Sequence, residues 1–344
     1  MKKQKKPFLF AMIYSLLLVG FTAYVMLDTF IIPQAESRNA GTADYSLFEG
    51  IEEKPLETAG DEKAKETAAS SKTGSGSRSK QRSSKNGSAN TATSAEEVPQ
   101  ESKSYESYSD DNISITLSEY YEYDTAIYVA DVRLSSAKYL RTAFAGDTYG
   151  KNITDETSDT AENNSAILAV NGDYYGAREN GYVIRNGVLY RDIESEDTDV
   201  LCIYPDGHFE ITDSSEKSAQ QLVDEDVWQA FTFGPGLLEE GEITVSEKDE
   251  VGRAMASNPR TALGMIDDLH YVFVVSDGRT SESTGLSLYQ LAEFMKKLGV
   301  QTGYNLDGGG SSTLYYNGEV INNPTSNGKS FKERKVSDIV YIGH

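Results

Sequence analysis

The strongest limit on how this chain can fold is a low-complexity segment that separates its N-terminus from its last 240 residues. Residues 33–104 are rich in Ser, Ala, Thr, Glu, Lys and Gly, and residues 70–94 contain five basic side chains and no acidic one. Such a segment cannot bury enough apolar area to offset the entropy cost of ordering it. We therefore predict that residues 33–104 form a disordered stalk, with a reach of roughly 45 Å for about seventy residues. Residues 105–344 are then the folded domain.

An apolar run precedes this stalk. Residues 8–27 contain no charged side chain, the apolar character continues to Ile32, and four lysines lie within residues 1–7. Twenty helical residues span roughly 30 Å, the thickness of a bilayer core. Because the lysines flank the N-terminal side, we predict a single-pass anchor in the cell membrane over residues 8–32, a cytoplasmic basic tail over residues 1–7 and an extracellular domain. A cleaved signal peptide is the alternative, but the run is longer than its usual apolar region and no A-x-A site follows.

Charge and composition exclude several classes of protein. The chain has 54 acidic and 32 basic side chains, and residues 105–344 hold 41 of the acidic but only 18 of the basic ones. A surface of this sign repels duplex nucleic acid, so we expect no nucleic-acid partner. The single cysteine excludes an intrachain disulfide, and three histidines are too few for a histidine-based zinc cluster.

Strand signals dominate the folded part. Three segments have β-forming residues on both sides of an Asn-Gly or Asp-Gly pair, which accepts the positive φ of a tight hairpin turn. These segments are 183–189, 203–209 and 314–320. Hairpins require antiparallel pairing, so the sequence predicts sheets that are mainly antiparallel.

One helix is indicated over residues 287–298. Ser287 and Gln290 have the spacing of a capping box, and apolar residues then recur every three or four positions. Strand-like runs at 271–276 and 300–306 flank it, which predicts a strand–helix–strand unit of the βαβ type. We therefore expect an α+β fold with mixed, mainly antiparallel sheets and a few packed helices in a single domain.

Glycine-rich clusters follow several predicted strands. They are Asn171-Gly172-Asp173, Phe233-Gly234-Pro235-Gly236, Asn258-Pro259-Arg260, Asp277-Gly278-Arg279 and Asn305-Leu306-Asp307-Gly308-Gly309-Gly310-Ser311-Ser312. Glycine lets a backbone approach a ligand closely, and successive N–H groups can form an anion-binding nest. Three successive glycines cost folding entropy that a plain connection does not require, so the last cluster indicates function most strongly. It is neither a Walker loop nor a nucleophile elbow, since Gly-Lys-Ser/Thr and G-x-S-x-G are both absent.

The order of these clusters resembles the phosphodiester glycosidase family, which includes the lysosomal "uncovering enzyme" and bacterial members related to exopolysaccharide synthesis. The resemblance extends from about Asp110 to Ile342 and implies hydrolysis of a sugar-1-phosphodiester at the glycosidic C1–O bond. The leaving group is a phosphate monoester, so the site needs cationic or N–H support for phosphate and a carboxylate that activates water or attacks C1.

The resemblance also implies roles for individual residues. The candidate catalytic carboxylates are Asp307, Asp277 and Asp173. Arg260 is the first candidate for a bidentate phosphate ligand and Arg279 the second. The remaining candidates for binding phosphate or sugar are Asn171, Gly308, Gly309, Gly310, Ser311 and Ser312.

The sequence requires no cofactor, but Asp173, Asp277 and Asp307 could converge with carbonyl oxygens on Ca²⁺ or Mg²⁺. The expected substrate is an anionic surface glycan or a teichoic-acid-like polymer that contains a sugar phosphodiester. Two alternatives stay open. The protein could be a non-catalytic glycan-binding or exopolysaccharide assembly protein with the same fold, or a phosphodiesterase that cleaves P–O instead of C–O.

Overall fold

The computed structural model describes residues 5–38, 42–56, 98–196, 198–247 and 257–344. Four α-helices lie in these ranges: α1 (Lys5–Phe30), α2 (Thr157–Asn163), α3 (Ala219–Asp224) and α4 (Leu288–Lys297). Within α1, Leu9–Phe30 is long and apolar enough to cross a membrane, and none of it is buried against the rest of the protein. The predicted apolar helix is therefore present.

The described residues form 21 strands, numbered along the chain. They are β1 (Gln34–Arg38), β2 (Glu101–Ser104), β3 (Tyr108–Ser109), β4 (Ile113–Glu122), β5 (Thr125–Leu134), β6 (Leu140–Phe144), β7 (Thr148–Lys151), β8 (Leu168–Asn171), β9 (Val183–Arg185), β10 (Val188–Arg191), β11 (Asp199–Ile203), β12 (Phe209–Asp213), β13 (Gln229–Thr232), β14 (Gly236–Glu239), β15 (Glu242–Ile243), β16 (Arg260–Asp267), β17 (His270–Ser276), β18 (Thr302–Asn305), β19 (Leu314–Tyr316), β20 (Glu319–Val320) and β21 (Asp338–Ile342).

Three sheets of five or more strands build most of the domain, and β1 and β7 form a fourth, two-stranded sheet. The largest has the order β15-β14-β18-β16-β17-β5-β4-β2, with β3 also paired to β4. Two five-stranded sheets have the orders β10-β9-β13-β11-β12 and β20-β19-β8-β21-β6. A shared apolar core joins all three sheets and includes Phe273, Phe231 and Val340. Every pair of named strands is antiparallel, so the predicted α+β, mainly antiparallel fold is confirmed.

The predicted helix and the three predicted hairpins form, but at 203–209 only Gly207, with φ of 102°, has a positive φ, and the loop is longer than a two-residue primed turn. Asn186 and Gly187 have φ of 52° and 78°, and Asn317 and Gly318 have φ of 53° and 94°, as tight primed turns require. Ser287 and Gln290 form a full capping box at the start of α4. Strands β17 and β18 both pair antiparallel to β16, so the strand–helix–strand unit joins two parallel strands across one intervening strand.

The structure differs from the predicted stalk at both of its ends. Strand β1 pairs with β7, and β2 pairs with β4 of the large sheet. Between them, the Asp44 N–H donates to the Asn186 carbonyl at 2.8 Å, and the Lys54 N–H donates to the Ser135 carbonyl at 2.8 Å. Residues 34–38, 42–56 and 98–104 therefore lie against the domain. Residues 39–41 and 57–97 of the predicted stalk lie outside the described residues.

Aromatic packing explains part of this docking. The rings of Tyr45 and Phe48 contact the buried Trp228, with ring centroids 5.8 Å and 4.9 Å away. Aromatic side chains gain free energy from burial and from edge-to-face packing. The average composition of residues 33–104 is polar, and it conceals this short apolar turn.

A buried ion-pair group connects the two smaller sheets. Arg185 of β9 is 1% exposed and forms ion pairs with Asp173 at 2.9 Å and with Asp338 of β21 at 2.9 Å. It also donates to the Ala230 carbonyl of β13. Burial raises the pKa of Asp338, and the negative charge of Asp173 adds to this effect. The two carboxylates in turn raise the pKa of Arg185.

Arg185→Met should lower the free energy of unfolding by about 3–5 kcal/mol, because it leaves two buried carboxylates without a counter-charge. Urea unfolding in detergent, followed by the fluorescence of the single tryptophan, measures this change. Arg133→Met on an exposed position of β5 is the matched control and should change stability by less than about 0.5 kcal/mol. Equal effects of the two substitutions would contradict the structural role of Arg185.

Candidate functional site

A cleft of about 660 Å³ lies where β16 and β18 meet the loops around them. Most of its charged lining is basic. The lining residues are Arg178, Thr198, Asp199, Phe233, Gly234, Pro235, Asn258, Arg260, Arg279, Leu288, Asn305, Leu306, Asp307, Gly308, Gly309 and Arg334. Four arginines and two aspartates thus face one cavity. On a domain with a large acidic excess, this cleft is a local concentration of positive charge.

Buried Asn171 holds the Asp307 segment in place. Its Nδ2 donates to the Asp307 carbonyl at 2.7 Å, and its Oδ1 accepts from Thr261 Oγ1 at 2.8 Å. The Asp307 N–H donates to the Gly172 carbonyl at 3.3 Å. Asn171 is 0% exposed, so it lies beneath the cleft, and the sequence-based role of a substrate contact does not match this position.

The three glycines allow the Asp307 segment to approach its neighbours closely. Gly309 has φ of 65°, and a Cβ atom there would lie 2.7 Å from Arg279 Nη2. A Cβ atom at Gly308 would lie 2.8 Å from the Pro259 carbonyl oxygen. This close packing requires glycine at both positions.

Several backbone amides of the same segment donate within the protein. The N–H of Gly309 donates to Pro259 at 2.8 Å, that of Ser311 to Gly308 at 3.3 Å, and that of Ser312 to Gly309 at 3.2 Å. In the described part of the chain, the amides of Gly308 and Gly310 have no such acceptor. The predicted anion nest is thus reduced to these two amides, and of the two residues Gly308 lines the cleft.

Asp307 points into the cleft and is bound by an arginine that the sequence did not reveal. Arg334 Nη2 donates to Asp307 Oδ2 at 2.6 Å, and Arg334 Nε donates to Ser311 Oγ at 2.7 Å. The Arg334 side chain is 43% exposed and the Asp307 side chain 12%. Arg334 therefore orients the carboxylate and keeps a positive charge beside it. Because Lys332 and Lys335 flank it in an irregular segment, the sequence pattern here is that of a solvated basic loop.

Arg260 and Arg279 both line the cleft. Arg260 is 6% exposed, and its Nε donates to the Leu286 carbonyl at 2.9 Å. Arg279 Nη1 donates to the Ser326 carbonyl at 2.8 Å, while its Nη2 donates to Asn258 Oδ1 at 3.1 Å. Burial and the nearby Arg334 lower the pKa of Arg279, an effect that Asp307 partly opposes. These fixed guanidinium groups can receive a phosphate without reorganising.

The other two predicted carboxylates lie elsewhere. Asp277 is 4% exposed and accepts hydrogen bonds from Asn323 N at 2.8 Å, Asn323 Nδ2 at 2.8 Å and Tyr128 Oη at 3.3 Å. Burial, together with Asp277, raises the pKa of Tyr128. Asp173 is paired with Arg185 and also accepts from the Thr232 N–H at 3.0 Å. Neither carboxylate lines the cleft.

The three carboxylates considered as cation ligands therefore do not converge. Asp173, Asp277 and Asp307 each have their own protein partners. Among the described residues, no group of three or more Asp, Glu, His or Cys side chains could hold a metal ion. The structure therefore does not support a cation site made from these three residues, because each side chain is bound to different partners.

Two further polar side chains of the cleft, those of Asp199 and Asn305, were given no role from the sequence. Asp199, at the start of β11, accepts from the Gly236 N–H at 2.8 Å. Asn305 Nδ2 donates to the Gly234 carbonyl at 2.8 Å, and its buried Oδ1 has no hydrogen-bond partner among the described residues. The sequence gives a weak signal for Asp199, which ends an acidic run typical of a solvated loop. Asn305 belongs to the last glycine cluster, and this position in the motif could have indicated that it lies in the cleft.

Asp277→Asn should lower the free energy of unfolding by about 1–3 kcal/mol, because an amide nitrogen would face the donors that now bind the carboxylate. Thermal unfolding of the full chain in detergent measures this effect. Glu282→Gln, at an exposed carboxylate in the next loop, is the control and should be nearly neutral. An unchanged melting temperature for Asp277→Asn would show that these hydrogen bonds do not stabilise the fold.

Comparison with known proteins agrees with this architecture. A family model described as phosphodiester glycosidase matches residues 164–343, half of the chain. The chain is 28% identical over 191 residues to the SPbeta prophage-derived uncharacterized protein YomE of Bacillus subtilis (strain 168), which covers 54% of this chain and 29% of that protein. It is 32% identical over 109 residues to mouse N-acetylglucosamine-1-phosphodiester alpha-N-acetylglucosaminidase, covering 30% of this chain and 21% of that enzyme.

A solved structure has the same fold. The zebrafish N-acetylglucosamine-1-phosphodiester alpha-N-acetylglucosaminidase catalytic domain, described as auto-inhibited by its pro-peptide, superposes with a TM-score of 0.55 at 22% identity. The match covers 67% of this chain and 83% of that one. The chain spans less than a third of the length of the curated relatives named above. The family match, the order of the glycine clusters and the shared fold together show that this chain belongs to the phosphodiester glycosidase family.

Proposed function

We propose that this protein hydrolyses a sugar-1-phosphodiester at the glycosidic C1–O bond, acting on an anionic surface glycan such as a teichoic-acid-like polymer. The observation that carries the proposal is the cleft, in which four arginines and two aspartates line one cavity. The family match and the activity for which the mouse relative is named support the choice of substrate class. We further propose that α1 anchors the protein in the cell membrane, with the domain outside the cell.

The cleft supplies the groups that such a reaction needs. Arg260 and Arg279 bind the phosphate through guanidinium hydrogen bonds, which are strong because both partners are charged. Asp307, held by Arg334, takes a proton from the attacking water. The water oxygen bonds to C1 as the C1–O bond breaks, and the electron pair of that bond leaves with the phosphate monoester. Because the arginines stabilise this anion, the leaving group needs little protonation.

Access to this cleft is consistent with turnover. The zebrafish structure is described as auto-inhibited by a pro-peptide. In the present chain, the cleft is lined by residues from Arg178 to Arg334. The described N-terminal residues that dock on the domain instead contact β7 and Trp228. None of these described N-terminal residues lines the cleft, so a substrate can enter it without their removal.

Asp307→Asn should lower kcat by about 10²–10⁴-fold, the usual contribution of a general base. Asp277→Asn is the comparison and should keep kcat within about threefold of the parent per folded molecule, because Asp277 lies outside the cleft. Mass spectrometry of sugar released by the full-length protein from a panel of sugar-1-phosphodiesters measures both. If Asp307→Asn stays within a few-fold of the parent, Asp307 is not the catalytic carboxylate. If the parent itself releases no sugar, the non-catalytic glycan-binding function is favoured instead.

Hydrolysis in ¹⁸O-labelled water separates the two bonds that could break. C–O cleavage should leave the phosphate monoester unlabelled, whereas P–O cleavage would place one ¹⁸O atom in it. The phosphate product is the better readout, because the anomeric oxygen of a free sugar exchanges with water. An enzyme-free incubation of the phosphate product provides the control. Label in the phosphate would contradict the proposed mechanism and identify a phosphodiesterase.

A further inference from the structure

The domain lies directly against the end of α1. Helix α1 ends at Phe30 and β1 begins at Gln34. A chain spans at most about 3.6 Å per residue, so β1 starts within about 14 Å of the last helical residue. Gln34 Nε2 also donates to the Asp28 carbonyl in the last turn of α1 at 3.0 Å. Strand β1 is thus connected to α1 by the short intervening chain and by a side-chain hydrogen bond.

The catalytic domain holds the same helix end from its own side. Asn152, directly after β7, donates through Nδ2 to the Thr29 carbonyl at 3.1 Å and to the Ile32 carbonyl at 3.2 Å. Strand β1 pairs with β7 from Gln34 opposite Lys151 to Arg38 opposite Thr148. The two strands are so close at Gly150 that a Cβ atom there would collide with the Gln34 carbonyl oxygen. These contacts fix the orientation of the domain relative to α1.

The cleft lies next to this attachment. A second depression of about 430 Å³ has Gln34 and Glu36 of β1 in its wall, together with Arg178. Arg178 also lines the cleft that contains Asp307, so the two depressions share a wall. Apolar side chains are exposed on this side of the molecule. Ile31 is 65% exposed, Ile32 40% and Ile193, in the wall of the second depression, 50%.

We propose that this attachment holds the cleft at the membrane surface, and that the substrates are sugar-1-phosphodiesters whose second ester is a lipid alcohol in the same membrane. The inference rests on the proposed hydrolysis of a sugar-1-phosphodiester at C1–O and assigns it a lipid-linked substrate in place of a surface polymer. Water adds to C1, the C1–O bond breaks, and the products are the free sugar and the lipid phosphate monoester. A docked domain meets such a substrate at a high effective concentration, whereas a long flexible stalk would lower that concentration by spreading the domain over a larger volume.

The test compares a lipid-linked with a soluble substrate. The full-length protein is placed in nanodiscs of phosphatidylglycerol and phosphatidylethanolamine that contain polyprenyl-phosphate N-acetylglucosamine. The soluble counterpart is the methyl diester of N-acetylglucosamine-1-phosphate. We expect kcat/KM for the lipid-linked substrate to exceed that for the methyl diester at least about tenfold, since surface confinement gives gains of this order or larger.

Gly150→Ala separates docking from chemistry. It should displace β1 and lower kcat/KM for the lipid-linked substrate by about tenfold, while kcat/KM for the methyl diester stays within about twofold. Gly20→Ala is the matched control, because a Cβ atom there meets nothing within 4 Å, and it should behave like the parent. Asn152→Asp removes the donor to the helix end without a new steric clash, and it serves if Gly150→Ala does not fold.

The outcomes are distinct. A selective loss on the lipid-linked substrate in either docking variant supports the proposal. Equal kcat/KM for the two substrates in the parent, or equal losses on both in the docking variants, overturns it while leaving the proposed function intact. If the parent hydrolyses neither substrate, this inference is overturned, and the panel of sugar-1-phosphodiesters decides separately whether the proposed function holds.

Discussion

The buried ion pairs of Arg185 are the constraint on which the geometry of the cleft depends. Arg185 binds Asp173 and Asp338, which fixes the first glycine cluster against β21. Gly172 lies so close to Asp338 that a Cβ atom there would collide with the carboxylate. The Gly172 carbonyl in turn accepts from the Asp307 N–H. The buried Arg185 guanidinium therefore determines the position of Asp307 in the cleft.

The need of buried charges for partners explains why two predicted carboxylates, Asp173 and Asp277, do not face the cleft. Charges inside a protein require partners, because an unpaired buried charge costs several kcal/mol. Asp173 and Asp277 satisfy this requirement through Arg185 and through Asn323 and Tyr128. Asp307 is bound by Arg334, whose side chain is partly exposed, so this pair remains accessible to a ligand. Asp173 and Asp277 are thus bound by partners inside the protein, whereas Asp307, the proposed catalytic carboxylate, is bound by a partly exposed one.

Local signals predicted the fold well, and long-range contacts limited the prediction of the site. The Asn186-Gly187 turn and the Ser287 cap depend on residues close in sequence, so their patterns were sufficient. The position of Asp307 in the cleft followed from its glycine neighbours. The role of Asp277 could not be predicted, because Asn322 and Asn323 lie about 45 residues away along the chain. Arg334 was missed for the same reason, since only the folded chain brings it to Asp307.

The N-terminal segment shows a second limit of composition-based reasoning. A polar average over residues 33–104 predicts a spacer, yet docking needs only a few residues with the right contacts. Tyr45 and Phe48 supply aromatic packing on Trp228, and β1 supplies backbone hydrogen bonds to an available strand edge. A spacer and a docked segment have opposite consequences for an anchored enzyme. If α1 anchors the protein as proposed, a spacer would widen the volume that the cleft can search, whereas docking would restrict the cleft to the membrane surface and make the anchor part of substrate selection.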